Sequence, residues 1–234
     1  MINIELSGRN GKMGRAIETL ASDIDDINIV LDNPDVIIDF SHHSNVEAVI
    51  KRATELKVPV VIATTGLESY HHEMIREASE MIPVLNSANM SLGINLIAKV
   101  LREMVKPLED GYNIEIIEKH HNQKKDAPSG TALLLGDNIN AGCKTKKEYV
   151  YGRSGNNLEY SPNEMGFHAV RGGTIPGEHT VIFAGLDEVI EIKHTAYSRN
   201  IFAKGAIDGA RFLLGQKPGL YNMEDVISLD NGGI

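Results

Sequence analysis

The first twenty residues change from a strand pattern to a helix pattern at a glycine-rich turn. Apolar residues occupy every second position from Ile2 to Leu6, as in a strand with one buried face. From Met13 to Leu20 the apolar residues recur at helical spacing instead. The pattern therefore predicts a strand, a tight turn and a helix.

Three apolar runs follow, each about the length of a strand. They cover residues 35–40 (DVIIDF), 58–63 (VPVVIA) and 83–85, and such continuous runs are typical of parallel strands buried on both faces. Helical patterns at residues 46–56 and 69–81 separate them. Because strands alternate with helices, this part of the chain predicts a parallel α/β sheet.

The pattern changes after residue 92. A long helical pattern at residues 92–108 precedes a strand at 113–119 and a helix at 131–140. The strand-like segments that follow, linked by glycine-rich turns, lie around Val150, around Ala169, at 181–183 and at 189–193. These features predict a mixed or antiparallel sheet in an α+β unit, and a helical pattern at 201–214 ends the series.

The glycine-rich turn has the spacing G-x-x-G-x-x-G, with Gly8, Gly11 and Gly14. Glycines allow the backbone to approach a pyrophosphate, and the helix that follows offers free N–H groups and a partial positive charge. Such turns also serve helix–strand packing, but the position in a first strand–helix unit favours a dinucleotide site. The candidate phosphate partners are Arg9, Lys12 and Arg15.

The region after the first helix is shorter than in the usual dinucleotide fold. Asp32 has the offset of the acidic residue that binds the adenosine ribose. However, only residues 32–34 separate the strand-like residues 27–31 from the run at 35–40, and a parallel crossover needs a dozen residues or more. We therefore expect that the two segments are not both ordinary parallel strands joined by a crossover, that the adenine pocket is abbreviated, and that the ribose ligand stays unassigned.

We accordingly expect two domains. Residues 1–91 and 200–234 form a Rossmann-like dinucleotide-binding domain, and residues 92–199 form an α+β domain for substrate binding and oligomerisation, with an open mixed sheet.

Composition narrows the class of protein. A net charge of −9 and a pI near 5.5 argue against a broad surface for nucleic acid or anionic membrane. Cys143 is the single cysteine and cannot form an internal disulfide. No apolar run approaches the ~20 residues of a membrane span, and the N-terminus has no leader pattern. These features favour a soluble, cytoplasmic protein.

Residues 118–131 (EKHHNQKKDAPSGT) carry the most specific chemistry. Ser129 and Thr131 lie where a helix begins, and hydroxyls, backbone N–H groups and the helix dipole together favour a carboxylate there. Lys124 adds a local positive charge in an acidic protein. The alternative is a solvated basic loop with an ordinary serine N-cap.

Histidines in the same stretch supply a proton donor. His120 and His121 titrate near neutral pH, so either one can deliver a proton to a substrate. Adjacent histidines also occur at 42–43 and 71–72, but neighbouring side chains diverge on helices and strands, and such pairs are poor chelators. We therefore expect no metal site.

The motif HH-x-x-K-x-DAPSGTA at residues 120–132, together with the GRNGKMG turn, resembles the signature of the dihydrodipicolinate reductase family. Further segments similar to that family are VIATTG (61–66), SANMSLGIN (87–95), VRGGTIPGEHTVIFAG (170–185), IEIKHTAYSR (190–199) and GLYNMEDVI (219–227). The resemblance therefore covers most of the chain.

This resemblance implies roles for individual residues. His120 protonates the substrate, and Lys124 assists as a second donor. The residues that hold a substrate carboxylate are His121, Gly130 and Thr131, with Ser129 at the start of the same helix. The residues that contact the dinucleotide are Gly8, Arg9, Asn10, Gly11, Lys12, Met13, Ala63, Thr64, Thr65, Ser87, Ala88, Asn89 and Met90.

The implied activity is reduction of 4-hydroxy-tetrahydrodipicolinate, a small dicarboxylate, by NADH and/or NADPH in diaminopimelate and lysine biosynthesis. The resemblance also implies a homotetramer built through the open sheet of the second domain. One alternative is a related oxidoreductase acting on a sugar or semialdehyde, which should lack the HH-x-x-K and DAPSGT combination. A non-catalytic dinucleotide sensor is another, although a sensor needs no proton donor.

Three residues depart from the family pattern. Met90 replaces an aromatic residue, Gln123 replaces a basic residue, and Glu5 lies in the first strand where a small apolar residue is expected. None of these changes removes the proposed acid, the lysine or the carboxylate site.

Overall fold

The computed structural model describes residues 1–156 and 158–227 of the chain. Among the helices in those ranges, none combines the length and the apolar character needed to cross a bilayer. The same residues contain no group of three or more histidine, cysteine or acidic side chains arranged to hold a metal ion.

The chain divides into two compact units. The first consists of Met1–Asn95 and Arg199–Ile234, and the second of Leu96–Ser198. The last part of the predicted first domain, residues 228–234, lies outside the described residues.

The first unit is a six-stranded, entirely parallel sheet with helices on both faces. Its elements are β1 (Ile2–Ser7), α1 (Lys12–Ala21), β2 (Ile27–Val30), β3 (Val36–Asp39), α2 (Val46–Leu56), β4 (Val60–Ile62), α3 (Ser69–Ser79), β5 (Pro83–Asn86), α6 (Asn200–Leu213), β11 (Gly219–Tyr221) and α7 (Met223–Val226). The strand order is β11, β5, β4, β3, β1, β2. This arrangement confirms the predicted Rossmann-like class, and the three-residue edge strand β11 is an addition to the prediction.

The strands β2 and β3 are both parallel, but they are not neighbours and no crossover helix lies between them in residues 31–35. Both pair in parallel with β1, on opposite sides of it. Val30 at the end of β2 lies opposite Glu5, while Val36 at the start of β3 lies opposite Ile4. Because of this stagger, the connection from β2 to β3 only has to pass β1 sideways, a distance of two strand spacings or about 10 Å. Residues 31–35 can span about 17 Å, which is enough. No return crossover is needed, so no helix separates the two strands among the described residues.

The unexpected charge of Glu5 in β1 is matched by Arg52 on α2. The Arg52 guanidinium donates Nε to Glu5 Oε1 at 2.6 Å and Nη2 to Oε2 at 2.8 Å. It also lies 3.5 Å from the carbonyl oxygen of Leu31 and 3.5 Å from Oδ1 of Asp32. Asp32, at the offset of a ribose ligand, has a side chain that is 87% exposed. The short connection is therefore tied to the sheet by a charged pair.

Helix α6 packs unusually close to the chain that follows β5. A Cβ atom at Gly205 would lie 1.7 Å from the carbonyl oxygen of Met90, so the backbones approach closely there. Met90 itself is 2% exposed and belongs to the core formed by α1, α6 and one face of the sheet. Only glycine at position 205 permits this contact.

The second unit is a five-stranded mixed sheet with two helices on one face. Its elements are α4 (Leu92–Leu108, which begins in the first unit), β6 (Asn113–His120), α5 (Gly130–Gly142), β7 (Glu148–Tyr151), β8 (Glu164–Arg171), β9 (Glu178–Ala184) and β10 (Val189–Thr195). The order is β10, β9, β6, β8, β7, with β9 antiparallel to both neighbours and the other pairs parallel. This confirms the predicted mixed sheet.

The covered face of this sheet changes from apolar to polar along its strands. In β6, Ile114 and Ile116 point to the core under α4 and α5. Alternation then places Glu118 and His120 on the same face. In the neighbouring β9, His179 lies opposite Glu118. The apolar core therefore ends in a cluster of titratable side chains beside the start of α5.

The close approach at Gly205 gives a test of the first unit. Gly205→Ala should lower the free energy of unfolding by about 1–3 kcal/mol, because the new methyl group overlaps a backbone oxygen that cannot move alone. Gly209→Ala is the control, since its nearest neighbour is the side chain of Leu85 at 3.1 Å and the helix gains up to about 1 kcal/mol from alanine. Urea denaturation measures both, and equal effects would contradict the packing described.

Candidate active site

The glycine-rich turn of the first unit packs closely against neighbouring backbone and leads into an uncapped helix. Gly8 has a φ of +80°, and a Cβ there would lie 2.8 Å from the carbonyl oxygen of Phe40. A Cβ at Gly14 would lie 2.3 Å from the carbonyl oxygen of Arg9. Gly11 is the N-cap of α1, and no side chain caps the helix there. The residues present therefore fit a pyrophosphate held by first-turn N–H groups.

The other residues predicted for this turn differ in exposure. Arg9 is half-buried and pairs with Glu18 of α1, with 2.6 Å from Nε to Oε1. Asn10 and Lys12 are exposed, whereas Met13 packs against the core. Lys12 and Arg15 are thus the exposed cations among the candidate phosphate partners.

A buried carboxylate organises the strand ends beside the turn. Asp39, the last residue of β3, accepts hydrogen bonds from the Thr64 hydroxyl at 2.6 Å and the Ser41 hydroxyl at 2.5 Å. Its carbonyl accepts the N–H of Ala63 at 2.9 Å. Thr65, the next predicted contact, is exposed. Sequence reasoning missed Asp39, although a carboxylate that ends an apolar run was a usable signal.

The segment after β5 is held by its own polar side chains. The Ser87 hydroxyl donates to the carbonyl of Asn89 at 2.9 Å, and the Asn89 side chain accepts the N–H of Ser91 at 2.9 Å. Ala88 is exposed between them, while Met90 is directed into the core. The predicted contact residues of this segment therefore offer mainly backbone and Ala88 to a ligand.

In the second unit, a buried carboxylate lies at the centre of the predicted catalytic stretch. Glu118 is 1% exposed, and its Oε2 lies 2.6 Å from Nδ1 of His120. Arg171 of β8 donates Nη1 to the same oxygen at 2.7 Å and Nη2 to Oε1 at 2.6 Å. Oε1 also accepts the N–H of Ser129 at 3.0 Å. Four donors thus converge on one carboxylate.

Helix α5 begins beside this group, as the sequence predicted. Ser129 is its N-cap, and the Ser129 hydroxyl accepts the N–H of Ala132 at 3.2 Å. The same hydroxyl lies 2.8 Å from Nε2 of His179. Gly130 is exposed, with open space where a side chain would project, and Thr131 is half-buried next to it. The serine cap of the alternative interpretation is therefore present, and it belongs to the same cluster as the proposed acid.

The loop between β6 and α5 carries the other predicted residues. His121 is half-buried, and its carbonyl accepts the N–H of Lys124 at 3.1 Å in a tight turn. The Lys124 ammonium lies 2.9 Å from Oδ2 of Asp126. The second unit thus contains His120, Lys124 and the start of α5, which the sequence predicted to act together.

Burial and charge set the protonation of the cluster in opposite directions. Burial alone would raise the pKa of Glu118, but hydrogen bonds from Arg171 and His120 outweigh it and the pKa lies below its usual value. Burial lowers the pKa of His120, and the bond to Glu118 only partly opposes this. Burial likewise lowers the pKa of His179 to about 4. In the free protein near pH 7, the carboxylate is charged and both imidazoles are neutral.

This arrangement can bind an anion and then deliver a proton. Neutral His120 donates Nδ1–H to Glu118, because an ionised carboxylate only accepts. An anionic substrate beside the ring would favour the imidazolium and prepare an acid. Lys124 supplies a second cation and proton donor nearby.

Sequence reasoning missed three residues of this cluster: Glu118, Arg171 and His179. Each was visible as a polar residue in a strand register that is otherwise apolar, since Ile114 and Ile116 precede Glu118 at even spacing. The sequence could not show that these three side chains lie together, because this depends on β8 and β9 both pairing with β6.

The low pKa of His179 predicts a pH dependence of stability. Its pKa is about 4 in the fold, below the ordinary value of 6.5 for a histidine, so the unfolded chain binds the proton first as pH falls. Between pH 7.5 and pH 5 this group alone should remove about 2 kcal/mol from the free energy of unfolding. In the His179→Gln variant, the free energy of unfolding measured by urea denaturation should fall by about 2 kcal/mol less over that pH range. The exposed His72→Gln is the control, and identical slopes in all three proteins would contradict the assignment.

Two family models match the chain. "Dihydrodipicolinate reductase, N-terminus" matches residues 21–90, and "Dihydrodipicolinate reductase, C-terminus" matches residues 93–227. The second alone covers more than half of the chain and includes the whole cluster around His120.

Full-length relatives agree with these matches. The chain is 50% identical to the 4-hydroxy-tetrahydrodipicolinate reductase of Caldanaerobacter subterraneus subsp. tengcongensis, covering 97% of this chain and 98% of the relative. It is 47% identical to the enzyme of that name from Clostridium tetani, with the same coverage. A dipicolinate-bound dihydrodipicolinate reductase from Paenisporosarcina sp. TG-14 shares the fold, with a TM-score of 0.81, 22% identity and coverage of 96% and 99%. The chain therefore belongs to the dihydrodipicolinate reductase family.

Proposed function

We propose that this chain reduces 4-hydroxy-tetrahydrodipicolinate to tetrahydrodipicolinate with a nicotinamide dinucleotide, in the biosynthesis of diaminopimelate and lysine. The observation that carries the proposal is the cluster in which His120, Lys124 and the start of α5 lie together. Family membership supports the same reaction, because the 50% identical relative bears that enzyme's name.

The substrate is a small dicarboxylate, and the start of α5 suits one of its carboxylates. Gly130 leaves open space at the first turn, and first-turn N–H groups have no acceptor within a helix. Thr131 and His121 contribute a hydroxyl and an imidazole nearby, and the Lys124 ammonium adds a full positive charge. Donors fixed in this way stabilise the anion without reorganising during the reaction.

A bound NADH or NADPH supplies the hydride. Its pyrophosphate would be held by the uncapped first-turn N–H groups of α1, with Lys12 and Arg15 as the exposed cations of the turn. Both cofactors are included because the ribose end of the site is abbreviated, with Asp32 turned toward Arg52. The Asp39 network and the Ser87–Asn89 segment hold the neighbouring strand ends in place.

His120 delivers the proton that completes the reduction. Its Nδ1 is engaged by Glu118, so Nε2 is the atom left for the substrate. Lys124 acts as the second donor and as the charge partner of the anion. In this proposal residues 92–199 hold the substrate, and residues 1–91 and 200–234 hold the dinucleotide.

We further propose that the enzyme is a cytoplasmic homotetramer assembled through the open face of the second sheet. That face carries no helix among the described residues, and it exposes apolar side chains such as Val170 and Val189, the latter 60% exposed. Association of sheets would cover them and protect the strand edges.

The test follows the oxidation of NADH and NADPH separately, with freshly generated 4-hydroxy-tetrahydrodipicolinate. The wild type should oxidise at least one of them, and His120→Gln should lower kcat by about 100-fold or more, as loss of a general acid does. Lys124→Met should also impair turnover. The neighbouring Lys125→Met is the matched control and should retain wild-type activity, because Lys125 is an exposed residue outside the cluster.

Two outcomes would contradict the proposal. If folded wild type binds a cofactor but oxidises neither with this substrate, a dinucleotide sensor becomes the better assignment. If Lys125→Met loses as much activity as Lys124→Met, the loop acts only through its overall charge, and the assigned role of Lys124 is wrong.

A further inference from the structure

A second set of residues contacts the proposed acid without reaching the substrate itself. Glu118 accepts a hydrogen bond from Nδ1 of His120, and Arg171 donates hydrogen bonds to both carboxylate oxygens of Glu118. No part of the reaction proposed above uses either residue directly. Their burial and the four donors on one carboxylate nevertheless point to a definite task.

We propose that Glu118 and Arg171 are positioning residues: Glu118 holds His120 in the form protonated at Nδ1 and turns Nε2 toward the substrate, while Arg171 fixes the Glu118 carboxylate. This inference rests on the proposed function, since it assigns His120 as the acid. It deepens that function by identifying what orients the acid.

The hydrogen bonds around Glu118 all point toward its carboxylate. Every partner of the Glu118 carboxylate in the described residues is an N–H group, from Arg171, from Ser129 and from His120. Arginine and backbone N–H groups can only donate. His120 alone among these partners can change from donor to acceptor, so an ionised carboxylate selects its Nδ1–H form.

The two ring nitrogens of His120 differ in their surroundings. A Cβ atom at Gly177 would lie 3.2 Å from Nε2 of His120, and Gly177 has a φ of +152° that favours glycine. In the described residues no protein group hydrogen-bonds Nε2, whereas Nδ1 is engaged at 2.6 Å. The ring is therefore anchored at Nδ1, while Nε2 keeps its hydrogen-bonding capacity for a substrate.

The same carboxylate also contacts the helix proposed to bind the substrate. Oε1 of Glu118 accepts the N–H of Ser129, the N-cap of α5, at 3.0 Å. One side chain therefore sets both the imidazole and the start of α5. A shift of Glu118 would move the proton donor relative to the carboxylate site, and small misplacements of this kind are costly to catalysis.

Four charged or titratable groups face His120. Glu118 lies on its own strand, Arg171 on β8, His179 on β9 and Lys124 in the following loop. Glu118 favours the imidazolium, and the two cations oppose it. Removing Glu118 and removing Arg171 should therefore shift the proton equilibrium of His120 in opposite directions.

Glu118→Gln is the informative variant, because an amide must place its NH₂ group toward one of the former donors. Arg171 and Ser129 cannot accept that hydrogen, so the amide should turn toward His120 and force the form protonated at Nε2. Nitrogen-15 NMR of the histidine rings reads this directly, with His120→Gln identifying the signal. The wild type should show Nδ1–H and Glu118→Gln should show Nε2–H.

Kinetics give the second readout. An acid is active when protonated, so activity falls as pH rises through its pKa. In Glu118→Gln this descending limb should move to lower pH by about 1–2 units, with kcat reduced about 10–100-fold above neutral pH and a smaller change in KM. In Arg171→Gln the limb should move to higher pH, because a cation that opposes the imidazolium is gone.

Glu115→Gln is the matched control. Glu115 lies on the other face of the same strand and also joins an arginine to a histidine, with 2.6 Å to Nη1 of Arg153 and 2.7 Å to Nε2 of His168. Its loss should cost comparable stability, but the ring nitrogens of His120 and the pH limb should keep their wild-type values.

Several results would overturn the inference. The first is a wild type whose His120 is mainly protonated at Nε2, a measurement that needs no variant to fold. The second is a folded Glu118→Gln with wild-type NMR signals and pH limb, and the third is a shift of the limb in the same direction in both variants. Failure of the proposed function is distinct, since it appears as an inactive wild type while the NMR result stands by itself.

Discussion

The buried carboxylate of Glu118 is the constraint around which the second unit is organised. A charge that is 1% exposed is stable only when its oxygens are hydrogen-bonded, and here three different elements provide the donors. Arg171 belongs to β8, Ser129 to the start of α5, and His120 to the end of β6. Those elements must meet for the charge to be tolerated, so the same requirement that fixes the fold also assembles the site.

The first unit also contains a buried carboxylate whose oxygens need hydrogen-bond donors. Asp39 ends a strand that is buried throughout, and hydroxyls of Ser41 and Thr64 satisfy its carboxylate. The backbone of the glycine-rich turn packs closely beside it, since a Cβ at Gly8 would lie 2.8 Å from the carbonyl oxygen of Phe40. In both units, polar residues at the ends of apolar strands are satisfied by their neighbours, and the backbone proposed to bind ligand lies next to them.

The sequence predicted the parts of the structure that depend on local pattern. Alternation and helical spacing predicted both sheets, and the spacing from His120 to Thr131 predicted which side chains would gather. The pattern did not show that β2 and β3 lie on opposite sides of β1, because this placement depends on a stagger against β1 that no local spacing reveals. It also missed Arg171, whose role exists only because β8 pairs with β6. The roles of the cofactor and substrate residues remain predictions.

The most direct test of the site is a titration of nitrogen-15-labelled wild type with dipicolinate, a planar dicarboxylate. The account predicts that dipicolinate shifts the ring nitrogens of His120 toward the imidazolium form, because an anion at the start of α5 stabilises that charge. The exposed His72 should not respond. If dipicolinate binds while His120 keeps its neutral Nδ1–H signals, the carboxylate site lies elsewhere and the central claim is wrong.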